Sequence, residues 1–223
     1  MSSDFSLNVQ GKVKRVKCQK IIGVARNYLE HVKEMGAEKP EEPVIFLKAP
    51  SALTRNGCPI LIPDAIGRVD YEGELAVIIG KKGKNIPIDE SRNYILAVAA
   101  FNDVTARDIQ LEAKKKGLPW AISKSFDTFA PISKPVLLKD AGDIDRMDIT
   151  LKLNGQVRQS SNTSLMIHKV DYLISFISKF MTLEPGDVIA TGTPGGVGSM
   201  SPGDVVEITV GNSLYLRNPV VKI

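Results

Sequence analysis

Two glutamates separated by a single residue, Glu72 and Glu74, are the first feature of this sequence that could do chemistry. On an extended chain side chains alternate faces, so the pair shares a face with attachment points roughly 6–7 Å apart. Carboxylates that close raise each other's proton affinity unless a cation lies between them. A hard divalent ion with oxygen ligands would relieve the repulsion. A solvated strand face is the plainer reading, because E-x-E is a common pattern. Asp103 adds a third carboxylate where an apolar run ends and Thr105-Ala106-Arg107-Asp108 opens a helix. Its ordinary role there would be an N-cap. Lys124 stands in apolar company between Trp120 and Phe126; it is either a functional charge or a snorkelling surface side chain. His31 and Glu34, three apart, face the same way on a helix. By spacing alone a surface pair with no role is the favoured reading.

Elements to hold these residues are legible around them. Lys20–Ala25 reads as a strand and Tyr28–Met35 as a short helix stopped by Gly36, with Pro40 and Pro43 marking a loop. Strands follow at Val44–Lys48 and Ile60–Ile62. The segment Asp70–Gly80 reads as one continuous strand, buried on both faces over Leu75–Ile79. Tyr94–Asn102 is another buried strand and runs into a helix starting near Thr105. Asn154-Gly155 within Ile149–Arg158 is a strong hairpin signature, and Gly211-Asn212 within Glu207–Leu216 repeats the idea. Val170, Leu173, Ile174, Ile177, Phe180 and Met181 form the apolar stripe of an amphipathic helix, ended by Leu183-Glu184-Pro185-Gly186-Asp187. Many strands, two hairpins and few helices give an α+β, β-rich fold with helices laid on the outside.

The chain has 223 residues, 43% hydrophobic and 24% charged, with 29 Lys and Arg against 25 Asp and Glu. That is ordinary globular composition with a mild positive charge. The basic residues are scattered, and Lys114-Lys115-Lys116 reads as a solvated helix face, so nucleic acid is not an expected partner. No run approaches the roughly 20 apolar residues of a membrane helix. Cys18 and Cys58 are too few for a disulfide framework, and reduced thiols in a cytoplasmic protein are expected. The glycine-rich Thr191–Gly198 lacks the Gly-Lys-Ser/Thr ending of a phosphate loop, which excludes nucleotide binding by that motif. Its glycines still allow close backbone approach to a small anion. His168 is given no role.

Several stretches in order resemble the fumarylacetoacetate hydrolase superfamily, in particular its short acylpyruvase and oxaloacetate decarboxylase-like members. They are Gly23-Val24-Ala25-Arg26-Asn27-Tyr28, His31 with Glu34, Pro43 to Lys48, Glu72-x-Glu74, Asn102 to Asp108, Lys116 to Trp120, Lys124-Ser125-Phe126 and Thr191-Gly192-Thr193-Pro194. The resemblance implies a mixed β-sandwich roll, usually a homodimer, over residues 18–223, with 1–17 a short N-terminal extension in place of a separate domain. It implies that Glu72, Glu74 and Asp103 hold Mg2+ or Mn2+, that Lys124 lies beside the ion, and that His31 and Glu34 are an acid/base pair on a short mobile helix. It also implies that Arg26, Arg107, Gln110 and Thr193 contact a small 2-oxo acid.

Three carboxylates leave half of an octahedral ion open for the carboxylate and 2-oxo oxygens of such a substrate. The ion would act as a Lewis acid on the pyruvyl enolate left when the distal carbon–carbon bond breaks, with Lys124 adding charge in a partly dry site. The implied reaction is hydrolysis of 3-acylpyruvates or fumarylpyruvate, decarboxylation of oxaloacetate, or both. Isomerisation or decarboxylation of hydroxylated heptadienedioates, tautomerisation of oxaloacetate, and a non-catalytic metal-binding protein are the alternatives.

Overall fold

The computed structural model describes residues 4–9, 12–34 and 36–223. At its centre runs Gly73–Ile79, every residue of which is buried. Apolar side chains at both parities make this strand unable to face water on either side. It lies inside an eight-stranded mixed sheet whose order is 44–48, 21–25, 188–190, 73–79, 95–102, 130–132 and 53–55, with 136–137 also on 95–102. A five-stranded sheet follows the order 156–162, 148–153, 205–210, 214–222 and 60–62. Leu75, Val77 and Ile79 join Ile149, Leu151, Ile208 and Leu216 in one core cluster shared by the two sheets. Ala76 and Ile78 point the other way, into a second cluster with Ala97, Ala99 and Val188. Phe5 and Val16 belong to that second cluster; they come from an antiparallel hairpin of 4–9 and 12–17 that the sequence reading leaves as an extension.

Among the described residues five α-helices lie around the sheets: α1 (Leu29–Glu34), α2 (Arg107–Lys115), α3 (Ala121–Lys124), α4 (Leu138–Ala141) and α5 (Val170–Phe180). Helix α5 has no side-chain cap and only 11 residues, too few to be stable alone. Leu173, Ile174 and Ile177 are fully buried and contribute about 1.5–3 kcal/mol each, so packing holds it. Phe180 is not on that face: it is 63% exposed. It continues the Tyr172–Phe176–Phe180 row along the helix flank, its ring 5.1 Å from that of Phe176.

Most expected elements form. The strands 44–48 and 60–62 have the expected bounds, and Asn154 and Gly155 both have positive φ, as a type I′ hairpin requires. Met35 lies outside the described residues; the described part of its helix is α1. Two differences bear on the site. The helix expected near Thr105 begins at Arg107, because Thr105 and Ala106 pair with Asp70 and Val69 as a short strand. The strand expected over Asp70–Gly80 is broken at Glu72: Val69–Tyr71 belongs to a separate three-stranded sheet and Gly73–Ile79 to the eight-stranded one. Among the described residues no helix is long and apolar enough to cross a membrane.

Candidate active site

The break at Glu72 is built by side chains. Its N–H donates to Asn102 Oδ1 at 2.9 Å, and its carbonyl accepts from the Asp103 N–H at 2.8 Å. Asn102 ends the neighbouring strand and Asp103 follows it, so two adjacent strand ends are tied together and turn three carboxylates inward. Glu72, Glu74 and Asp103 are all buried, and one oxygen from each lies within 4.8 Å of the others. Gly73, between the glutamates, donates its N–H to Gln159 Oε1 at 2.9 Å, and its carbonyl accepts from the Thr193 hydroxyl at 3.0 Å. Gln159 reaches on to Thr193 Oγ1 (2.8 Å) and the Pro194 carbonyl (3.0 Å). A bulge at Arg158, where the strand register shifts, aims Gln159 inward.

Cations balance two of the carboxylates. Lys124 Nζ bridges Glu72 Oε2 (3.0 Å) and Asp103 Oδ2, and the Arg107 guanidinium takes Glu72 Oε1. Lys48, fully buried, takes Asp103 Oδ1 and the Val104 carbonyl (3.1 Å). Burial alone would raise the Glu72 carboxyl, but the Lys124 ammonium and Arg107 outweigh it and hold Glu72 well below the usual carboxylate range. Burial would lower both lysines; Asp103 and Glu72 together keep Lys124 above its ordinary value, whereas Lys48, with Asp103 as its main support, ends below. Glu74 has no ion-pair partner among the described residues and receives one hydrogen bond, from the Gly192 N–H at 2.8 Å. Burial, with Asp103 and Glu72 beside it, pushes its carboxyl well above the usual range. Hard oxygen donors gathered round a carboxylate lacking a cation are the donor set that a divalent ion fits.

Local geometry supports this arrangement at two glycines. A Cβ on Gly23 would lie 2.2 Å from the Phe46 ring, so only glycine lets that ring lie against the strand. The ring in turn carries Lys124, whose ammonium is 4.7 Å from its centroid. Gly192 has φ +100°, and a Cβ there would meet Asn27 Cβ at 2.7 Å; its freedom aims the N–H at Glu74.

A cleft of about 450 Å³ opens on the carboxylates. It brings together His31, Lys124, Arg26, Arg107, Gln110, Thr193 and the three acids. Glu34 lines an adjoining chamber of about 360 Å³, also lined by His31. His31 Nδ1 is 3.7 Å from Glu34 Oε2 and has no hydrogen-bond partner, while Glu34 is anchored by the Gly196 N–H at 2.9 and 3.1 Å. Burial pushes His31 below the ordinary imidazole value, leaving it neutral at neutral pH and able to accept a proton. The Thr193 hydroxyl is committed to Gly73 and Gln159, so it holds the Glu72-Gly73-Glu74 turn. Asp103 is no N-cap; Ala106 occupies that position. Lys114, expected on a solvated face, lines the cleft.

Residues 20–221 match the fumarylacetoacetate (FAA) hydrolase C-terminal family. The chain belongs to the fumarylacetoacetate hydrolase family. It is 53% identical over 206 residues to a protein of Pyrococcus abyssi, covering 92% of each chain. It is 43% identical over 197 residues to the mitochondrial oxaloacetate tautomerase of Mus musculus, covering 88% of this chain and 89% of the relative. The crystal structure of a fumarylpyruvate hydrolase from Pseudomonas aeruginosa, in complex with Mn2+ and pyruvate, superposes with a TM-score of 0.93 at 31% identity, covering 100% of this chain and 98% of the other. The mixed sheets and peripheral helices are thus those of a family of enzymes.

Residue type and spacing assign no role to Lys48, Asp70 or Gln159. Lys48 had a faint signal, since strand parity puts it on the face of Phe46. Asp70, fully buried, binds Arg68 (2.6 Å) and Arg107 (2.7 Å) and so aims the guanidinium at Glu72. Gln159 had no signal, because the bulge that aims it is a matter of register.

Proposed function

We propose that this chain is a divalent-metal-dependent enzyme that cleaves a carbon–carbon bond of a small 2-oxo acid, with hydrolysis of acylpyruvates as the principal reaction. The observation that carries the reading is one cleft holding both a buried three-carboxylate cluster and, beside it, a buried histidine whose Nδ1 has no hydrogen-bond partner. Glu72, Glu74 and Asp103 would hold Mg2+ or Mn2+. The bound ion would supply Lewis acidity and draw charge from the 2-oxo group.

The chain's own residues do the rest. Lys124 presents an ammonium in a site dry enough for its charge to count. Lys48 neutralises the far oxygen of Asp103 and keeps three acids from repelling one another apart. Arg26 lines the cleft with no carboxylate partner among the described residues and is free for a substrate carboxylate. Gln110 binds Arg107 through its Oε1 at 2.7 Å, leaving its amide N–H groups for the substrate. His31 takes the proton from the attacking water, and Glu34, fixed by Gly196, orients the ring.

A second reading is decarboxylation or tautomerisation of oxaloacetate, favoured by the tautomerase relative at 43% identity. It uses the same acids; decarboxylation needs no attacking water, and tautomerisation needs only a proton shuttle, which His31 would supply. Homodimeric assembly and a cytoplasmic location are part of the proposal. Acetylpyruvate, fumarylpyruvate and oxaloacetate assayed side by side, with Mg2+, with Mn2+ and with EDTA, test it. Metal-dependent turnover of acetylpyruvate or fumarylpyruvate is expected. Turnover of none of the three, or full rates in EDTA, would overturn it.

A further inference from the structure

Helix α2 turns one face to the cleft. Arg107, Gln110, Leu111 and Lys114 stand at positions i, i+3, i+4 and i+7, and all four line both the metal end of the cleft and the adjoining chamber. Along this face the first cation is spent on protein: Arg107 is bound to Asp70, Glu72 and Gln110. The last is not. Lys114 has no carboxylate partner among the described residues, and its ammonium rests 4.9 Å from the Trp120 ring centroid. A ring face holds a cation in place without cancelling its charge. Burial and the Arg107 guanidinium push the Lys114 ammonium below the ordinary lysine value, the condition of a cation still short of an anion.

The charge of the cleft points the same way. Arg26, Arg107, Lys114 and Lys124 line it against Glu72, Glu74 and Asp103. The cleft is therefore already positive, and a divalent ion makes it strongly so. A monoanionic ligand leaves most of that charge uncompensated; a dianion cancels more. Arg26 lines the metal end alone, whereas Lys114 lines the chamber as well. From Arg107 to Lys114 is two helical turns, about 10 Å along α2. A flexible lysine and a ligand of five or six carbons together span that distance.

We infer that Lys114 is a specificity-determining residue: its ammonium receives the distal carboxylate of a dicarboxylic 2-oxo acid, so diacids bind in preference to monoacids of equal length. The inference rests on the reading of the cleft as a 2-oxo acid site.

The test is calorimetric binding to the Mg2+-saturated protein with two matched pairs, 2-oxoglutarate against 2-oxopentanoate and 2-oxoadipate against 2-oxohexanoate. Within a pair the skeleton is the same and only the distal group changes. For at least one pair the wild-type chain should prefer the diacid by about ten- to a hundredfold, the worth of one charge-assisted hydrogen bond. Lys114→Met should reduce that preference to about threefold or less, and Lys114→Arg should keep most of it. No preference in the wild type at either length overturns the inference. So does a preference that survives Lys114→Met, even where both ligands weaken together, because that is the mark of a structural role through Trp120. Failure of all four ligands to bind wild-type protein that still binds Mg2+ overturns the 2-oxo acid reading itself.

Discussion

Among the described residues Asp103 is the one anion bonded to both buried lysines, Lys48 and Lys124, and that arrangement can be measured. Lys48 occupies one carboxylate oxygen and Lys124 the other, with Lys48 and Asp103 each about 1% exposed. Asp103→Asn leaves Lys124 its contact with Glu72, but leaves Lys48 with no anion, only the neutral oxygens of the Val104 carbonyl and the new amide. Stranding a buried charge in this way costs about 3–5 kcal/mol. Lys48→Met is milder, because Asp103 keeps Lys124; the loss is one charge-assisted hydrogen bond and a donor to Val104, about 1–3 kcal/mol. In the double variant there is no stranded ammonium. Its destabilisation should therefore fall short of the sum of the single changes by about 0.5–3 kcal/mol, the range expected for groups in direct contact. The assay is urea unfolding in EDTA, which removes stabilisation by a bound ion, with unchanged m-values as the check on two-state behaviour. Additivity within about 0.5 kcal/mol would refute the reasoning, since it would mean that Lys48 and Asp103 do not sense each other.

Glu74→Gln should abolish tight Mg2+ or Mn2+ binding yet stabilise the metal-free protein at neutral pH. Because the folded carboxyl is raised, its contribution is present at acid pH and lost as pH rises through the folded value, so metal-free wild type should weaken from acid toward neutral pH and the variant should not. Thermal unfolding across that range checks this; a wild-type curve as flat as the variant's would sink it. His31→Ala should lower acylpyruvate hydrolysis by about 10²–10⁴-fold, while spontaneous loss of CO2 from bound oxaloacetate, which needs no attacking water, should persist. Undiminished hydrolysis would remove His31 from water activation. In the wild type, the lowered imidazole keeps the base available into mildly acidic pH, so hydrolysis should decline only below the ordinary histidine range. Gln159→Leu strips partners from the Gly73 N–H and the Pro194 carbonyl and should cost about 1–3 kcal/mol. It should also weaken metal binding, read by titration, because Gly73 separates two of the carboxylates; normal affinity would show that the turn holds without it.

What the sequence disclosed and what it hid follow from the range of the forces involved. Local patterns were readable: the apolar run of 73–79, the Asn154-Gly155 turn and the stripe on α5 each depend on neighbours a few residues away. Glu72 and Glu74 are legible as a pair, but strand alternation accounts for only part of their meeting. One continuous strand is not what joins them. The chain leaves one sheet and enters another at Glu72, held by Asn102, Asp103 and Gln159 from segments 30 and more residues distant. Lys48 and Lys114 show the same limit from opposite sides. Lys48 ends an apolar strand and is fully buried because Asp103, 55 residues on, supplies its charge partner. Lys114 sits in a run of three lysines, which composition alone assigns to solvent, yet only its place seven residues after Arg107 decides which of the three turns inward. A charged residue's role in this fold is set by which carboxylate or ring the topology brings to it, and that is long-range information that residue type and spacing carry only in part.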